Sequence, residues 1–319
     1  MNENYYLPEG MRLNTPENQA YLASPTGLER AMNSGAIIEG VVLLCDNQMR
    51  LHVDLHCAEG IIEANEAVWC RDGEVRKDIA VITRVGKPVA VRVTALESRN
   101  GILTAVLSRR QAQEACLRDY LSRLRPGDVI SSRVTHLEPF GAFLDIGCGI
   151  SSLLSVDCIS VSRISHPRDR LQSGMDLPVV VKSIDRESGR IYVSLRELLG
   201  TWEENVASFE AGQTVAGIIR SVESYGVFVE LTPNLAGLAE LREGCERDLL
   251  SRVGRSAAVY IKSIVPERMK IKLALIDTCA AEPIRPRMVY FMDPNTTRHI
   301  SHWRYSPANS QRVIETIFE

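Results

Sequence analysis

"EPFGAFLDIG", residues 138–147, sets two phenylalanines three positions apart around a Gly-Ala pair. A strand alternates its side chains across a sheet. That puts Ala142, Leu144 and Ile146 on one face and Phe143 with Asp145 on the other. The apolar trio makes the core side, so Phe143 is expected outside, beside a carboxylate. Phe140 precedes Gly141, where a bulge or tight bend is easy, and alternation alone does not settle its direction.

The stretch recurs. "RPGDVISSRVTHLEPFGAFLDIG" (125–147) aligns without a gap on "EAGQTVAGIIRSVESYGVFVELT" (210–232). Phe140 then matches Tyr225, Gly141 matches Gly226 and Phe143 matches Phe228. In the second copy Val227, Val229 and Leu231 are expected inside, with Phe228 and Glu230 outside. On the first strand of each copy, Ile130, Ser132 and Val134 match Val215, Gly217 and Ile219 as inward positions, which leaves Arg133 and Arg220 able to face outward. Each copy continues with a short apolar strand, an irregular Arg- and acid-rich stretch and a closing pair of strands. A fainter copy precedes both: "NSGAIIEGVVLLCDNQMRLHVDL" (33–55), then "KPVAVRVTALESRNGILTAVLS" (87–108). The long repeat length suits a small all-β domain in tandem rather than a solenoid.

About five short, β-branched, alternating strands per copy predict a small closed barrel. The order of signals is that of the five-stranded oligonucleotide/oligosaccharide-binding (OB) barrel, whose middle strands form the usual binding face. The fold class is therefore all-β: three tandem OB barrels joined by short amphipathic helices. "SRRQAQEACLRDYLSRL" (108–124) carries a stripe of Leu117, Leu121 and Leu124. "SLRELLGTWEENVASFEAG" (194–212) carries one of Leu195, Leu198, Leu199, Trp202, Val206 and Phe209. Such stripes are expected to dock against the barrels.

An outward aromatic repeated at one register, with basic groups nearby, points to unpaired bases, since every base offers a π-face for stacking. At this point the residues resemble the S1 RNA-binding domain, an OB module. Residues 126–196 carry the resemblance through "FGAFLDIG" and "HPRDRLQSGMDLPVVVKSIDRESGRIYVSL". Residues 211–275 carry it through "YGVFVELTPNLAGLAEL", and residues 34–108 mainly at "GAIIEGVV" and "GILTAVLS". The resemblance implies an RNA face made of Phe140, Phe143, Asp185 and Arg190 in the middle copy, and of Tyr225, Phe228 and Lys270 in the third. Arg133, Ser155 and Arg220 form a second tier. The family's third-strand histidine is replaced by Ser155 and by Glu240, and Pro266 falls near its hairpin aspartate, so the third copy is expected to bind more weakly. In the first copy Met49 and His52 stand near the ring positions and Thr104 replaces the hairpin arginine. By the same resemblance that copy serves docking to ribosomal partners.

The domain plan expected from this is an extension (1–33), a degenerate S1-like barrel (34–108), a helical linker (109–125), an S1 barrel (126–196), a second linker (197–210), an S1-like barrel (211–277) and a basic, aromatic extension (278–319). In that last segment Arg285, Arg287, Arg298 and Arg304 interleave with Tyr290, Phe291, Trp303 and Tyr305. Its aromatics are expected to pack on the third barrel.

Composition excludes several classes. The chain has 319 residues, 45% of them hydrophobic and 24% charged, with a net charge of −3. It does not coat nucleic acid by bulk charge. No apolar run approaches the ~18 residues of a membrane span, and the polar N-terminus does not read as a signal peptide. Eight cysteines occur singly, as reduced thiols of a cytoplasmic protein do. His52, Asp54 and His56 share a strand face but lack the paired cysteines or histidine spacing of a zinc site. Ser165, His166 and Asp169 lie in one short loop, and no nucleophile elbow or P-loop motif is present. The expectation is a non-enzymatic, cofactor-free, cytoplasmic protein with no membrane partner. It would bind single-stranded RNA, notably mRNA at the small ribosomal subunit, and reach ribosomal proteins through its first domain. The alternative is a scaffold whose barrels bind proteins.

Overall fold

The computed structural model describes residues 5–71, 73, 75–99, 102–241, 249–278, 288–293 and 296–318. Three closed barrels of five strands each account for most of them. The first comprises β1 (Ile38–Cys45), β2 (Leu51–Asp54), β3 (Glu59–Ile62), β4 (Pro88–Arg99) and β5 (Ile102–Ser108). The second comprises β6 (Val129–Glu138), β7 (Gly141–Asp145), β8 (Ser151–Ser155), β9 (Asp176–Asp185) and β10 (Arg190–Ser194). The third comprises β11 (Thr214–Glu223), β12 (Gly226–Thr232), β13 (Leu235–Ala239), β14 (Ser256–Val265) and β15 (Lys270–Thr278).

Every barrel closes in the same way. The first three strands form an antiparallel meander, the fifth runs parallel to the third, and the fourth bridges fifth to first. Closure removes the exposed edges that a five-stranded sheet would otherwise present. The interior is filled by the inward positions of each strand, such as Val42, Leu51, Val53, Ile62, Val91 and Leu107 in the first barrel.

Contacts divide the chain into two compact units. The first holds the first barrel, the chain before it, residues 109–124, and residues 131–133 and 145–151. Here α1 (Pro16–Leu22) and α2 (Pro25–Ser34) start at Thr15 and Ser24, whose hydroxyls accept backbone N–H groups, each with a proline in the first turn. Helix α2 stops at Gly35, which takes the left-handed conformation (φ 64°) that lets its N–H reach back to the helix carbonyls. The segment before α1 is held by buried carboxylates. Glu39 Oε2 accepts from Gly10 N (3.0 Å) and Arg12 N (3.1 Å), and Glu9 forms two hydrogen bonds to the buried Arg109 guanidinium (2.6 and 3.0 Å). A further short helix, α3 (Asp78–Ile82), precedes β4.

The linkers differ from the leucine stripes expected of them. Helix α4 (Arg109–Asp119) buries Ala112, Ala115 and Cys116 together with Arg109 and Gln113; of the leucine stripe, Leu121 is buried just past the helix as expected, while Leu117 and Leu124 stay half-buried. Small side chains let the helix approach closely and its polar ones find partners: Gln113 donates to Cys148 O (3.0 Å). The second linker is two pieces, a 3-10 turn at Arg196–Leu199 and helix α5 (Trp202–Val206) with a Thr201–Glu204 capping box. Gly200 separates them at φ 81°, and a Cβ there would lie 2.5 Å from the Phe291 ring. The positive φ breaks the helix there, and the contact reserves the position for glycine. Leu195, Leu198, Leu199 and Trp202 are buried as expected.

The C-terminal aromatics do lean on a core, but on more than the third barrel. Strands β16 (His302–Arg304) and β17 (Glu315–Ile317) pair as a hairpin. Trp303 lies under the Arg196 guanidinium of the linker, Tyr305 O accepts from Trp202 N (2.9 Å), and the Tyr305 hydroxyl donates to Asn234 O. Ile300 N donates to Gly127 O (2.8 Å) in the turn before β6. Arg285 and Arg287 lie outside the described residues. Among the described residues no helix is long and apolar enough to cross a membrane.

Candidate nucleic-acid interface

Strand β7 buries Ala142 and Leu144 and turns Phe143 to the other face, where it is half-buried. The direction of Phe140 follows from its neighbour. A Cβ on Gly141 would stand 2.5 Å from Leu154 O, so only glycine lets β7 come this close to β8. The residue before that close approach is directed away from the barrel. Phe140 is 56% exposed and meets Phe143 edge to face, with centroids 6.1 Å apart and planes at 89°.

The third barrel repeats this geometry. A Cβ on Gly226 would stand 2.6 Å from Ala239 O. Tyr225 is 64% exposed, and its ring meets Phe228 at 6.1 Å and 88°. Edge-to-face pairs of this kind hold one another's orientation, so each barrel presents a fixed pair of rings with open aromatic surface.

Cross-strand register shows what surrounds the rings. Phe228 pairs with Leu238, which pairs with Lys272, while Lys270 pairs with Val265 and Ser263 with Lys272. Alternation then carries Leu238, Glu240, Lys270 and Lys272 onto the ring-bearing face. Lys262 Nζ donates to Glu240 Oε2 at 2.8 Å, which holds that carboxyl below its ordinary range. In the middle barrel Tyr192 pairs with Leu153, and Arg190, two residues earlier, is exposed on the same side. Arg190 pairs in register with Asp185. Asp185 shapes the hairpin turn, accepting Glu187 N (3.0 Å), Ser188 N (3.2 Å) and the Ser188 hydroxyl, bonds that keep it ionised. Ser155 closes β8, half-buried, and its hydrogen bond lowers the Asp157 pKa.

Four side chains expected to be open on the outer face are taken up by the protein's own groups. Arg220 is nearly buried, donating to Glu230 (2.7 and 3.2 Å) and lying 3.4 Å from Asp169. The register of β11 against β12 shifts between Ile219 and Ser221, so Arg220 is the extra residue of a β-bulge and is aimed elsewhere. Glu230 is 1% exposed and also binds the buried Arg170. Asp145, its counterpart in β7, is 2% exposed and accepts Glu9 N (2.7 Å), Gly147 N (2.8 Å) and Gly149 N (3.0 Å). Burial and then the Glu9 carboxylate push its pKa up. Arg133 donates to Glu9 O (3.1 Å) and so serves the N-terminal segment. A bulge redirects Arg220, while partners remote in sequence cover Glu230, Asp145 and Arg133.

Residues that sequence reasoning passed over also stand on the face. His136, exposed on β6, lies 6.5 Å from Phe143 with planes 23° apart. Tyr192 follows from Arg190 by alternation, as Lys272 follows from Lys270. Lys182 Nζ is 3.0 Å from the Cys158 sulfur.

Residues 123–196 match the S1 RNA-binding domain family. Beyond that segment, the chain is 29% identical to the small ribosomal subunit protein bS1 of Staphylococcus aureus (strain COL) over 67% of its own length and 55% of the relative's. It is 31% identical to bS1 of Leuconostoc lactis over 59% and 46%, and 28% identical to a bS1 homolog of Bacillus cereus over 60% and 52%. The chain thus spans about half the length of the curated relatives it matches. The matched segment contains the Phe140–Phe143 pair and its surroundings, and the similarity to bS1 reaches well past it.

Proposed function

We propose that the chain is a non-enzymatic, cytoplasmic protein that binds single-stranded RNA, chiefly through the S1 domain, with mRNA at the small ribosomal subunit as the substrate. One observation carries the reading: the same exposed edge-to-face ring pair stands on two barrels, at 6.1 Å in both. Base–aromatic stacking contributes about 1–3 kcal/mol per base. Phe140 and Phe143 supply the stacking surface, Arg190 the phosphate contact, Asp185 the turn that positions it, and Ser155 a polar neighbour. Tyr225, Phe228 and Lys270 do the same on the third barrel. There Glu240 opposes phosphate and occupies Lys262, so affinity is lower.

The domain division that goes with this is 34–108, 126–196 and 211–277 for the barrels, with linkers at 109–125 and 197–210 and extensions at 1–33 and 278–319. Arg133 and Arg220 are structural rather than RNA contacts. The first barrel binds ribosomal proteins, as a docking module. What favours that role is its own face: His52 stands 2.5 Å from Glu59 and 3.4 Å from Asp46, a carboxylate-rich surface that repels phosphate.

Fluorescent single-stranded RNA titrated with the full chain and with Phe140→Ala/Phe143→Ala tests the proposal. Micromolar or tighter binding that is lost in the double variant is the expected result. Absence of binding by the wild type overturns it. Few cations face the RNA, so the slope of log affinity against log salt is expected at about −2 to −4. Duplex RNA is expected to bind poorly because its bases are not splayed.

A further inference from the structure

We propose that His136 and Glu138 turn the ring pair of the S1 domain into a base-selective slot that favours bases carrying an exocyclic amino group over uracil. This rests on the reading of the middle barrel as an RNA-binding face.

Strand β6 brings the two side chains there. After inward Val134 the chain exposes both Thr135 and His136, then buries Leu137 and half-buries Glu138. The corresponding step on β11 is a bulge that sets Ser221 opposite Phe228. The same step puts His136 beside Phe143. The two rings are 23° from parallel with centroids 6.5 Å apart, about twice the ~3.4 Å thickness of one base step. The gap is just under the ~6.8 Å that a base seated between imidazole and phenyl requires, so a small opening of the exposed His136 side chain admits one. Phe140, edge-on to Phe143, leaves a second stacking position.

Glu138 supplies the selectivity. Its Oε1 lies 2.6 Å from His136 Nε2, which fixes the imidazole and brings a carboxylate to the rim of the slot. An ionised carboxylate only accepts hydrogen bonds. It matches the amino group of cytosine, as in carboxylate readout of cytosine N4, and that of adenine. Uracil offers carbonyl oxygens at the equivalent position, which the carboxylate repels. The third barrel has Ser221 in place of His136 and lacks the second wall, so it is not expected to discriminate.

The test is fluorescence anisotropy on the full chain with labelled C-, A- and U-tracts of about eight nucleotides, within the span one OB barrel covers. Wild type is expected to bind the C- and A-tracts roughly 5- to 10-fold tighter than the U-tract, the net size of one ordinary hydrogen bond exposed to water. Glu138→Gln is expected to erase the preference while leaving U-tract affinity within about twofold. Glu138→Ala, which cannot donate in glutamine's place, is expected to do the same. His136→Ala is expected to weaken all three tracts by about fivefold through lost stacking. Equal or tighter binding of the U-tract by wild type, or a preference that survives both Glu138 variants, overturns the slot while leaving the RNA-binding reading intact. Binding that is absent, or that persists in Phe140→Ala/Phe143→Ala, overturns both.

Discussion

The first and the middle barrel close by the same strand order, yet their outward faces are chemical opposites. Leu51 and Val53 are buried on either side of His52, as Ala142 and Leu144 are on either side of Phe143. At that shared position one barrel offers a phenyl ring with open surface. The other offers an imidazole held between Glu59 and Asp46, with Asp46 also bound to Arg50 (2.8 Å). Met49, in a left-handed turn, takes the place of Phe140. The interior that makes the barrel is the same in kind, and a handful of outward positions decides whether it meets RNA. A barrel that has satisfied its own polar groups internally has little left to give a ligand.

The largest effect is expected from removing the rings. Phe140→Ala/Phe143→Ala is expected to weaken single-stranded RNA binding roughly 30-fold or more, from two stacking contacts, read by anisotropy with thermal melting as the folding control. If that variant binds as wild type does, the two faces do not differ in the way described. Tyr225→Ala/Phe228→Ala is expected to cost less, about fivefold, because those rings stack in the same way but share their face with Glu240. A loss larger than that of the middle pair would reverse the ranking of the barrels.

Grafting sharpens the contrast. With all four rings of the second and third barrels replaced by alanine, Met49→Phe/His52→Phe is expected to restore no measurable RNA binding, since Asp46 and Glu59 stay and lose their imidazole partner. Micromolar binding by that graft would show that rings alone define the face. The smallest effect is in pH dependence. The hydrogen bond to Glu59 raises the His52 pKa above its ordinary value, against an opposing contribution from burial. The folded state therefore binds this proton more tightly than the unfolded one. Its stabilisation is complete below the ordinary histidine value and fades as pH rises through the raised value. His52→Asn is expected to flatten that part of the stability profile, and an NMR titration of His52 would show its midpoint displaced upward.

The barrels were legible because they are local and repeated: alternating runs, a glycine before each ring-bearing strand, and the closing hairpin recur at one spacing. Phe143 and Phe228 were placed by alternation for the same reason. The direction of Phe140 and Tyr225 was not, because it depends on how near Leu154 O and Ala239 O come to the glycines. Arg220, Glu230 and Asp145 were misplaced for two other causes. A bulge breaks the period at Arg220, and the partners that bury the two carboxylates are remote in sequence: Arg170 for Glu230, Glu9 for Asp145. A helix stripe of leucines was a poor guide to docking where alanine, cysteine and paired polar groups made the closer contact.

The Glu230 cluster bears on how this chain comes apart. Arg170 stands in the loop between β8 and β9 and is fully buried against a carboxylate of β12. Cutting the chain between the middle and third barrels would leave Glu230 with Arg220 alone, and breaking a buried pair typically costs about 3–5 kcal/mol. The third barrel is thus not a bead that slides free of its string. Its folding is coupled to that of its neighbour, and an excised 211–277 fragment is expected to melt well below the temperature at which the same strands melt in the intact protein.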